Sequence, residues 1–375
     1  MTTDELKYVN PVFADPIKYL QFRDANLKDV IHGYESLDHI ALTNPGSPDS
    51  VRPILGNSVV EMFFQMQLVG VELLQPKVIE DQLRMARILG YYMAYPTVNK
   101  MGFDQFRTGK TPVEVVSNDM TVGFLGESWR NAGIGLINKV EEHDGSIECE
   151  INEVGCSIKA LDSKYCSLCS NLCGIAEGLT GVLWSGELEE CGNAESGTCK
   201  IRIHPGDEPF VKDKLEKRDY ADILDGLVKS VVDGVNPYPR KELGSDLTMT
   251  LSQVVNYLFE NASPGHRILY HFSGMKVGEK MAELKPAKNM NEAVENLGKI
   301  FSENKVGLLK QDGDNLILEE SLMASGVKNQ KPQCAYLGKI IEGCLSKALG
   351  RKFSVTETKC LAKGDDFCEF ACKRI

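Results

Sequence analysis

The sequence lacks any segment that would place the chain in a membrane or direct it out of the cell. No apolar run reaches the roughly 18 residues that a bilayer-spanning helix needs. The opening residues include Asp4 and Glu5, where a secretory signal would have an apolar core. We therefore expect a cytoplasmic protein without a membrane partner, in which thiols stay reduced.

An excess of positive charge is also missing. The chain carries 42 Lys and Arg against 53 Asp and Glu, a net charge of −11, which repels phosphate backbones and argues against a nucleic-acid partner. The sequence has no glycine-rich phosphate loop, no nucleophile elbow, no helix-turn-helix segment and no histidine pair at metal-binding spacing. No catalytic set of residues is visible.

Cysteine is absent from the first 148 residues and abundant after them. A reducing compartment does not favour disulfides, so this many thiols points to metal binding or redox chemistry. The twelve cysteines lie at positions 149, 156, 166, 169, 173, 191, 199, 334, 344, 360, 368 and 372.

The sequence is similar to itself in two halves. Residues 134–137 match residues 306–309, and each segment leads into a charged turn and an alternating stretch that together predict a β-hairpin. A helix with apolar residues at helical spacing follows in each half. Each helix is followed by two cysteines with seven residues between them: Cys191 and Cys199, then Cys360 and Cys368.

These patterns predict a duplicated domain of the α/β class, in its α+β form, with helices packed on an antiparallel sheet in each copy. We expect the two copies to form an internal pseudo-two-fold dimer; the alternative is chance similarity between ordinary α/β patterns. The fronts of the copies also match, at 52–56 and 240–244. The predicted boundaries are an N-terminal extension at 1–50, a first domain at 51–205, a charged linker at 206–237 and a second domain at 238–375.

The second copy holds a candidate zinc site. Cys334, Cys360 and Cys368 are too widely spaced for a zinc knuckle, but a helix and a hairpin can bring them together. Glu357 lies three residues before Cys360, and four such side chains can complete a tetrahedron around zinc. Alternatively, the three cysteines pack as small buried apolar residues.

The second copy resembles a known family. From about Arg240 to the end it is similar to the 4-vinyl reductase or hydrocarbon-binding domain, found in archaeal proteins and in bacterial activators that sense aromatic compounds. The resemblance implies a fold like that of trafficking-particle subunits, and a zinc ion on Cys334, Glu357, Cys360 and Cys368. It rests on Arg267-Ile-Leu-Tyr, Gly274, Gly278, Val306-Gly307-Leu308, Cys334, Glu342-Gly343 and Glu357-x-x-Cys360-x7-Cys368-x-Phe370.

The first copy departs from this pattern because Leu188 stands where the glutamate ligand would be. Extra thiols compensate for the missing carboxylate. The site could hold zinc or an iron–sulfur cluster, or be a set of redox-active or plain thiols. The expected ligands are Cys166, Cys169, Cys191 and Cys199, with Cys173 and Cys156 as redox thiols or additional ligands.

The resemblance also implies an apolar cavity near the metal for a small hydrophobic or aromatic molecule. The leading function is therefore a metal-containing protein that binds or senses such a molecule, with a protein partner or a homodimer as a further expectation. The alternative is an iron–sulfur protein in electron transfer or in tetrapyrrole-cofactor reduction or assembly, and a third class is a scaffold. Candidate pocket residues, which could equally be core aromatics, are Tyr270, His271, Tyr91, Tyr92 and Trp184.

Overall fold

A computed structural model provides the structure of the chain. It describes residues 17–25, 50–75, 79–101, 109–122, 124–155, 166–191, 198–206, 220–236 and 240–375. Of the helices in these ranges, none combines the length and the apolar composition that a bilayer-spanning segment requires.

Helices and short strands alternate along the described chain. After a helix at 17–25, the helices are α1 (Glu61–Leu74), α2 (Ile79–Met101), α3 (Pro112–Val122), α4 (Phe124–Ala132), α5 (Ser167–Thr180), α6 (Tyr220–Asp233), α7 (Met249–Ala262), α8 (Pro264–Leu284), α9 (Met290–Glu303) and α10 (Ala335–Leu349). The strands are β1 (Ser58–Val60), β2 (Leu136–His143), β3 (Ser146–Asn152), β4 (Trp184–Glu190), β5 (Thr198–Pro205), β6 (Asp246–Thr248), β7 (Leu308–Asp312), β8 (Asn315–Glu319), β9 (Phe353–Lys359) and β10 (Cys368–Arg374).

Local sequence signals account for several element boundaries. Ser263 caps α8 by accepting the amide of His266 at 3.2 Å, and Pro264 occupies the first helical turn, where no amide is needed. The β2–β3 hairpin turns at Asp144 and Gly145, which adopt φ of 42° and 81°, the left-handed conformation that tight hairpins require. The two hairpins predicted from the sequence are confirmed as β2–β3 and β7–β8.

The chain divides into two compact units, each built from separate segments. The first unit comprises segments within 1–31, 75–218 and 238–245, and the second comprises segments within 32–74, 219–237 and 246–375. The segment from 51 to 74, which the sequence grouped with the first half, is therefore part of the second unit, where β1 pairs with β6. The duplication itself stays a prediction.

Each unit contains an antiparallel four-stranded sheet with the same strand order. The order is β2-β3-β5-β4 in the first unit and β7-β8-β10-β9 in the second. In the first unit α5 packs on β4 and α2, and in the second α10 packs on β9 and α8. The predicted fold class, helices packed on antiparallel sheets, is confirmed.

The main helix pair of each unit is packed backbone to backbone at glycines. A Cβ atom added to Gly278 on α8 or Gly343 on α10 would lie 1.9 and 2.0 Å from a backbone oxygen of the facing helix. Gly90 on α2 and Gly174 on α5 make the same kind of contact in the first unit, at 2.0 and 1.7 Å. These positions accept no side chain unless the helices separate.

Residues 52–56, here the first arm, are fastened to the second unit by a buried arginine. Arg52 is fully buried and donates to the backbone oxygens of Gly56 at 2.6 Å and Lys305 at 2.7 Å. The backbone amides of Ile54 and Leu55 donate to the carboxylate of Glu320 at 2.9 and 2.8 Å. The arm is thus held at both ends of the β7–β8 hairpin.

Residues 240–244, here the second arm, repeat this arrangement in the first unit. Arg240 donates to the backbone oxygens of Gly244 at 2.6 Å and of Gly133. The amides of residues 241–243 donate to the carboxylate of Glu153 at 2.8–3.0 Å. Each unit therefore contains one arm with the same arginine–carboxylate pattern.

Candidate metal centre

Four potential ligands in the second unit come from three neighbouring elements. Cys334 is the residue before the first turn of α10, and Glu357 lies on β9. Cys360 precedes a single 3-10 turn at Leu361–Lys363, and Cys368 begins β10. Because β9 and β10 are antiparallel partners, the hairpin brings residues from both of its strands against the start of the helix.

The ligand atoms of these four side chains all lie within 4.8 Å of one another. The Sγ atoms of Cys334 and Cys368 are 3.4 Å apart, and Glu357 Oε2 accepts the amide of Cys334 at 2.9 Å. Ligands at about 2.3 Å from a tetrahedral ion are about 3.8 Å from each other. The group therefore has the dimensions of a single-ion site.

Backbone and hydroxyl groups surround the sulfur atoms. The amides of Gln333 and Leu361 donate to the Sγ atoms of Cys360 and Cys368, each at 3.4 Å. Ser321 Oγ lies 3.1 Å from the Sγ of Cys334. Donors aimed at sulfur favour the thiolate, the form that binds metals.

Glu357 provides the test of whether the site suits a cation. Its Oε1 atom is buried, and no described residue is hydrogen-bonded to it. Burial, with the nearby Cys360, raises the pKa of Glu357 to about 9, whereas hydrogen bonds from the other two thiols hold the pKa of Cys360 below its ordinary value. A positive ion among the sulfurs would satisfy the orphaned oxygen and offset the crowding of acidic groups. The residues fit a metal.

Asp365 shapes the loop that carries Cys360, a role that the sequence did not reveal. Its Oδ2 accepts the amide of Cys360 at 2.8 Å, and the oxygen of Cys360 accepts the amide of Lys363 at 2.9 Å. In the sequence, Asp365 reads only as part of a solvated turn. The signal was its short polar side chain, which commonly bonds nearby backbone amides in turns.

The cysteines of the first unit are near one another but less tightly grouped. Cys166 precedes α5, and its Sγ accepts the amide of Cys169 at 3.3 Å. Cys173, one turn further, is fully buried. Among the described His, Cys, Asp and Glu residues of this unit, no three have ligand atoms within 4.8 Å of one another. Cys156 lies outside the described residues, and a metal in this unit stays a prediction.

The other two predicted ligands of the first unit lie at strand ends. Cys199 is near the start of β5 and is 3% exposed. Cys191 directly follows β4 and is half-buried.

Tyr270, a predicted pocket residue, is enclosed in the core of the second unit. Its ring stacks between Phe259 and Tyr336, with centroids 4.6 and 4.2 Å away. Its hydroxyl donates to Asn256 Oδ1 at 3.2 Å and accepts from Gln67 Nε2 at 2.9 Å. The side chain is therefore held by contacts on both faces and at its tip.

Two other predicted pocket residues also have specific partners. His271 Nε2 lies 2.6 Å from Glu260 Oε1 in the second unit. Trp184 is fully buried in the first unit, and its Nε1 donates to Thr180 Oγ1 at 2.9 Å. Both interactions orient the aromatic rings.

Tyr91 and Tyr92 lie beside a buried ionic cluster in the first unit. The guanidinium of Arg23, from the helix at 17–25, lies 3.7 Å above the ring of Tyr91, and the hydroxyl of Tyr92 donates to the backbone oxygen of Arg23 at 2.6 Å. Arg23 and Arg87 both contact the buried carboxylate of Glu177. These two tyrosines therefore pack against a helix of their own chain.

A cleft of about 370 Å³ adjoins the candidate metal centre in the second unit. Leu361, whose amide bonds a ligand sulfur, and Asp366 line it on the side of the metal group, and Ile54 lines it on the side of the first arm. The remaining lining residues are Val51, Leu308, Glu319, Glu320, Ala324, Ser325 and Gly326. The sequence did not predict this cleft, because its walls come from segments far apart in the chain.

Comparison with known proteins identifies the class of the domain that contains most of this site. Residues 315–374 match the family model of the 4-vinyl reductase domain, so the chain carries a domain of this family. The matched region includes Cys334, Glu357, Cys360 and Cys368.

The relatives are proteins of Methanocaldococcus jannaschii. One uncharacterised protein is 29% identical over 174 residues, covering 45% of this chain and 95% of that protein. Another is 27% identical over 108 residues, where this chain spans 64% of its length. A solved structure of a vinyl-4-reductase family protein from the same organism is 20% identical, covers 44% of this chain and 99% of that chain, and has a TM-score of 0.29.

Proposed function

We propose that the second unit binds one zinc ion through Cys334, Glu357, Cys360 and Cys368. The observation that carries this proposal is the orphaned Oε1 of Glu357, buried among three thiols. Three sulfurs and one carboxylate suit a tetrahedral zinc, whereas calcium and magnesium take oxygen ligands.

The zinc would serve the structure of this unit. It would connect the start of α10 to both strands of the β9–β10 hairpin. A metal bound only by the folded chain adds its binding free energy to the free energy of unfolding. The four protein ligands complete a tetrahedron, which is typical of structural rather than catalytic zinc.

The protein as a whole is proposed to bind a small hydrophobic or aromatic molecule. The 4-vinyl reductase domain family is associated with ligands of this kind. The cleft beside Leu361 offers apolar walls from Val51, Ile54 and Leu308 together with the carboxylates of Glu319 and Asp366. Apolar walls with a few polar groups are usual for small-molecule sites, and here the polar groups favour a neutral or cationic ligand.

A neutral fluorescent probe, N-phenylnaphthylamine, tests the location. The full chain should enhance its fluorescence, and Ile54→Glu should weaken binding about tenfold or more, because a charge enters the apolar wall. Ile54 is 73% exposed, so the fold should survive this change. The matched control is Ile268→Glu, at an exposed isoleucine outside the cleft. Unchanged binding in Ile54→Glu with loss in Tyr270→Phe would place the ligand in the core instead, and no binding by any form would contradict the proposal.

The alternative is an iron–sulfur protein that acts in electron transfer or in tetrapyrrole-cofactor reduction or assembly. The thiols of the first unit favour it, since Cys166, Cys169 and Cys173 lie on α5 or its cap. Anaerobically purified protein with a broad absorption band at roughly 400 nm would support a cluster. A colourless protein that contains zinc would support the leading proposal.

A further inference from the structure

The start of α5 in the first unit carries two cysteines in the arrangement Cys166-Ser-Leu-Cys169. Cys166 is the capping residue, with extended backbone angles of φ −92° and ψ 110°. Its Sγ accepts the amide of Cys169 at 3.3 Å, so its side chain already points toward the residue three positions later. A C-x-x-C pair at a helix start is typical of thiols that interconvert with a disulfide.

The spacing of the two residues suits a disulfide. Cα atoms three positions apart on a helix are separated by about 5 Å, from the helical rise and radius. Disulfides join Cα atoms about 4.4–6.8 Å apart. Because Cys166 lies outside the helix proper, its side chain can turn toward Cys169 without disturbing the first turn.

The surroundings give the two sulfurs different accessibility. Cys166 is half-buried, whereas Cys169 is 3% exposed. The sulfur of Cys169 lies against Gly186 on β4, where an added Cβ would be only 2.9 Å from it. A half-buried outer thiol and a buried inner thiol are what an attacking and a resolving cysteine require.

We propose that Cys166 and Cys169 form a reversible redox pair that exchanges with disulfides of small thiols or of proteins. The Cys166 thiolate attacks a sulfur of the substrate disulfide, forms a mixed disulfide and releases one thiolate, which takes up a proton. Cys169 loses its proton and attacks Cys166 Sγ, which closes the 166–169 disulfide and releases the second thiol. The pair loses two electrons and two protons, and the substrate disulfide gains them.

The same geometry separates this pair from a metal site. The described thiols of this unit include no three within 4.8 Å of one another, as a metal would need, while a disulfide needs only two. Burial raises the pKa of the Cys166 thiol to about 12. The dithiol form therefore gains nothing from a stabilised thiolate, and the closed disulfide is correspondingly stable, as in a reducing rather than an oxidising pair.

Equilibration of the full chain with mixtures of reduced and oxidised glutathione tests the proposal. After quenching with N-ethylmaleimide, peptide mass spectrometry should show a 166–169 disulfide that increases with the oxidised fraction. Cys173→Ser should retain this disulfide, since Cys173 is one turn beyond the pair. Cys169→Ser should instead accumulate a glutathione adduct on Cys166, because the resolving thiol is gone.

Two results would overturn the proposal. One is complete alkylation of both cysteines in the most oxidising mixture. The other is a wild-type protein in which bound metal protects both thiols from oxidation. Neither result bears on the zinc proposed for the second unit, which is assayed separately through Cys360→Ser.

Discussion

Glu357 accepts a hydrogen bond from the backbone amide of Cys334 at 2.9 Å, across 23 positions of sequence. One carboxylate oxygen thus fixes the start of α10 against β9, while the other, Oε1, lies buried among the thiols. The same side chain therefore joins two elements and offers a ligand atom.

Replacing Glu357 with Gln should weaken zinc binding at least about tenfold. The amide oxygen can still accept from Cys334, but the negative charge that zinc needs is lost. Competition with a chromogenic chelator measures the affinity. The matched control is Cys372→Ser, which removes a thiol of the same unit outside the metal group. Equal affinities for Glu357→Gln and the wild type would remove Glu357 from the ligand set.

Gly343→Ala should destabilise the second unit by about 3 kcal/mol, because the new methyl group meets backbone that cannot move aside. The control is Gly226→Ala on α6, at a helical glycine with open space around it. That change should stabilise by about 0.5–1 kcal/mol through helix propensity. Urea unfolding measures both, and a neutral effect of Gly343→Ala would show that the helices are not in close contact.

Arg52→Ala should cost about 3 kcal/mol of unfolding free energy. It removes the donors to Gly56 and Lys305 and leaves their oxygens without this partner at a buried site. Arg351→Ala, at an exposed arginine of the same unit, should change stability by less than about 0.5 kcal/mol. If the two variants unfold at the same denaturant concentration, the first arm does not hold the second unit together.

Glu72 should make the second unit less stable as pH rises. No described residue is hydrogen-bonded to its carboxylate, and burial raises its pKa to about 8 from an ordinary 4.5. Between these values the folded protein retains a proton that the unfolded chain has released. Stability should therefore fall by about 1.4 kcal/mol per pH unit across that window, and be unaffected by this group below it.

Glu72→Gln tests this dependence because it is neutral at every pH. Its melting temperature should match the wild type at about pH 4 and exceed it at about pH 8. Glu295→Gln, at an exposed position on α9, serves as the control. Parallel curves for Glu72→Gln and wild type would mean that Glu72 is charged in the folded protein.

The sequence predicted local structure and the order of the ligands well. Alternation around a Gly-Asp turn predicted both hairpins, and helical spacing predicted α5 and α10, because these signals depend on neighbours in the chain. The family pattern named Cys334, Glu357, Cys360 and Cys368, which the structure brings within 4.8 Å.

The sequence did not predict what depends on distant segments. The similarity of 52–56 to 240–244 was visible, but not that Arg52 bonds the backbone at Lys305, because no local pattern encodes that pairing. The cleft beside Leu361 was missed for the same reason. A buried carboxylate such as Glu72 also carries no mark of its burial in the local sequence.

Zinc content is the most direct test of the account. The full chain, purified with zinc supplied and then dialysed, is analysed by elemental mass spectrometry beside Cys360→Ser and Cys372→Ser. We predict that Cys360→Ser loses about one zinc per chain relative to the wild type, with a lower melting temperature, and that Cys372→Ser loses none. Equal zinc contents and equal melting temperatures in the wild type and Cys360→Ser would contradict the proposed centre.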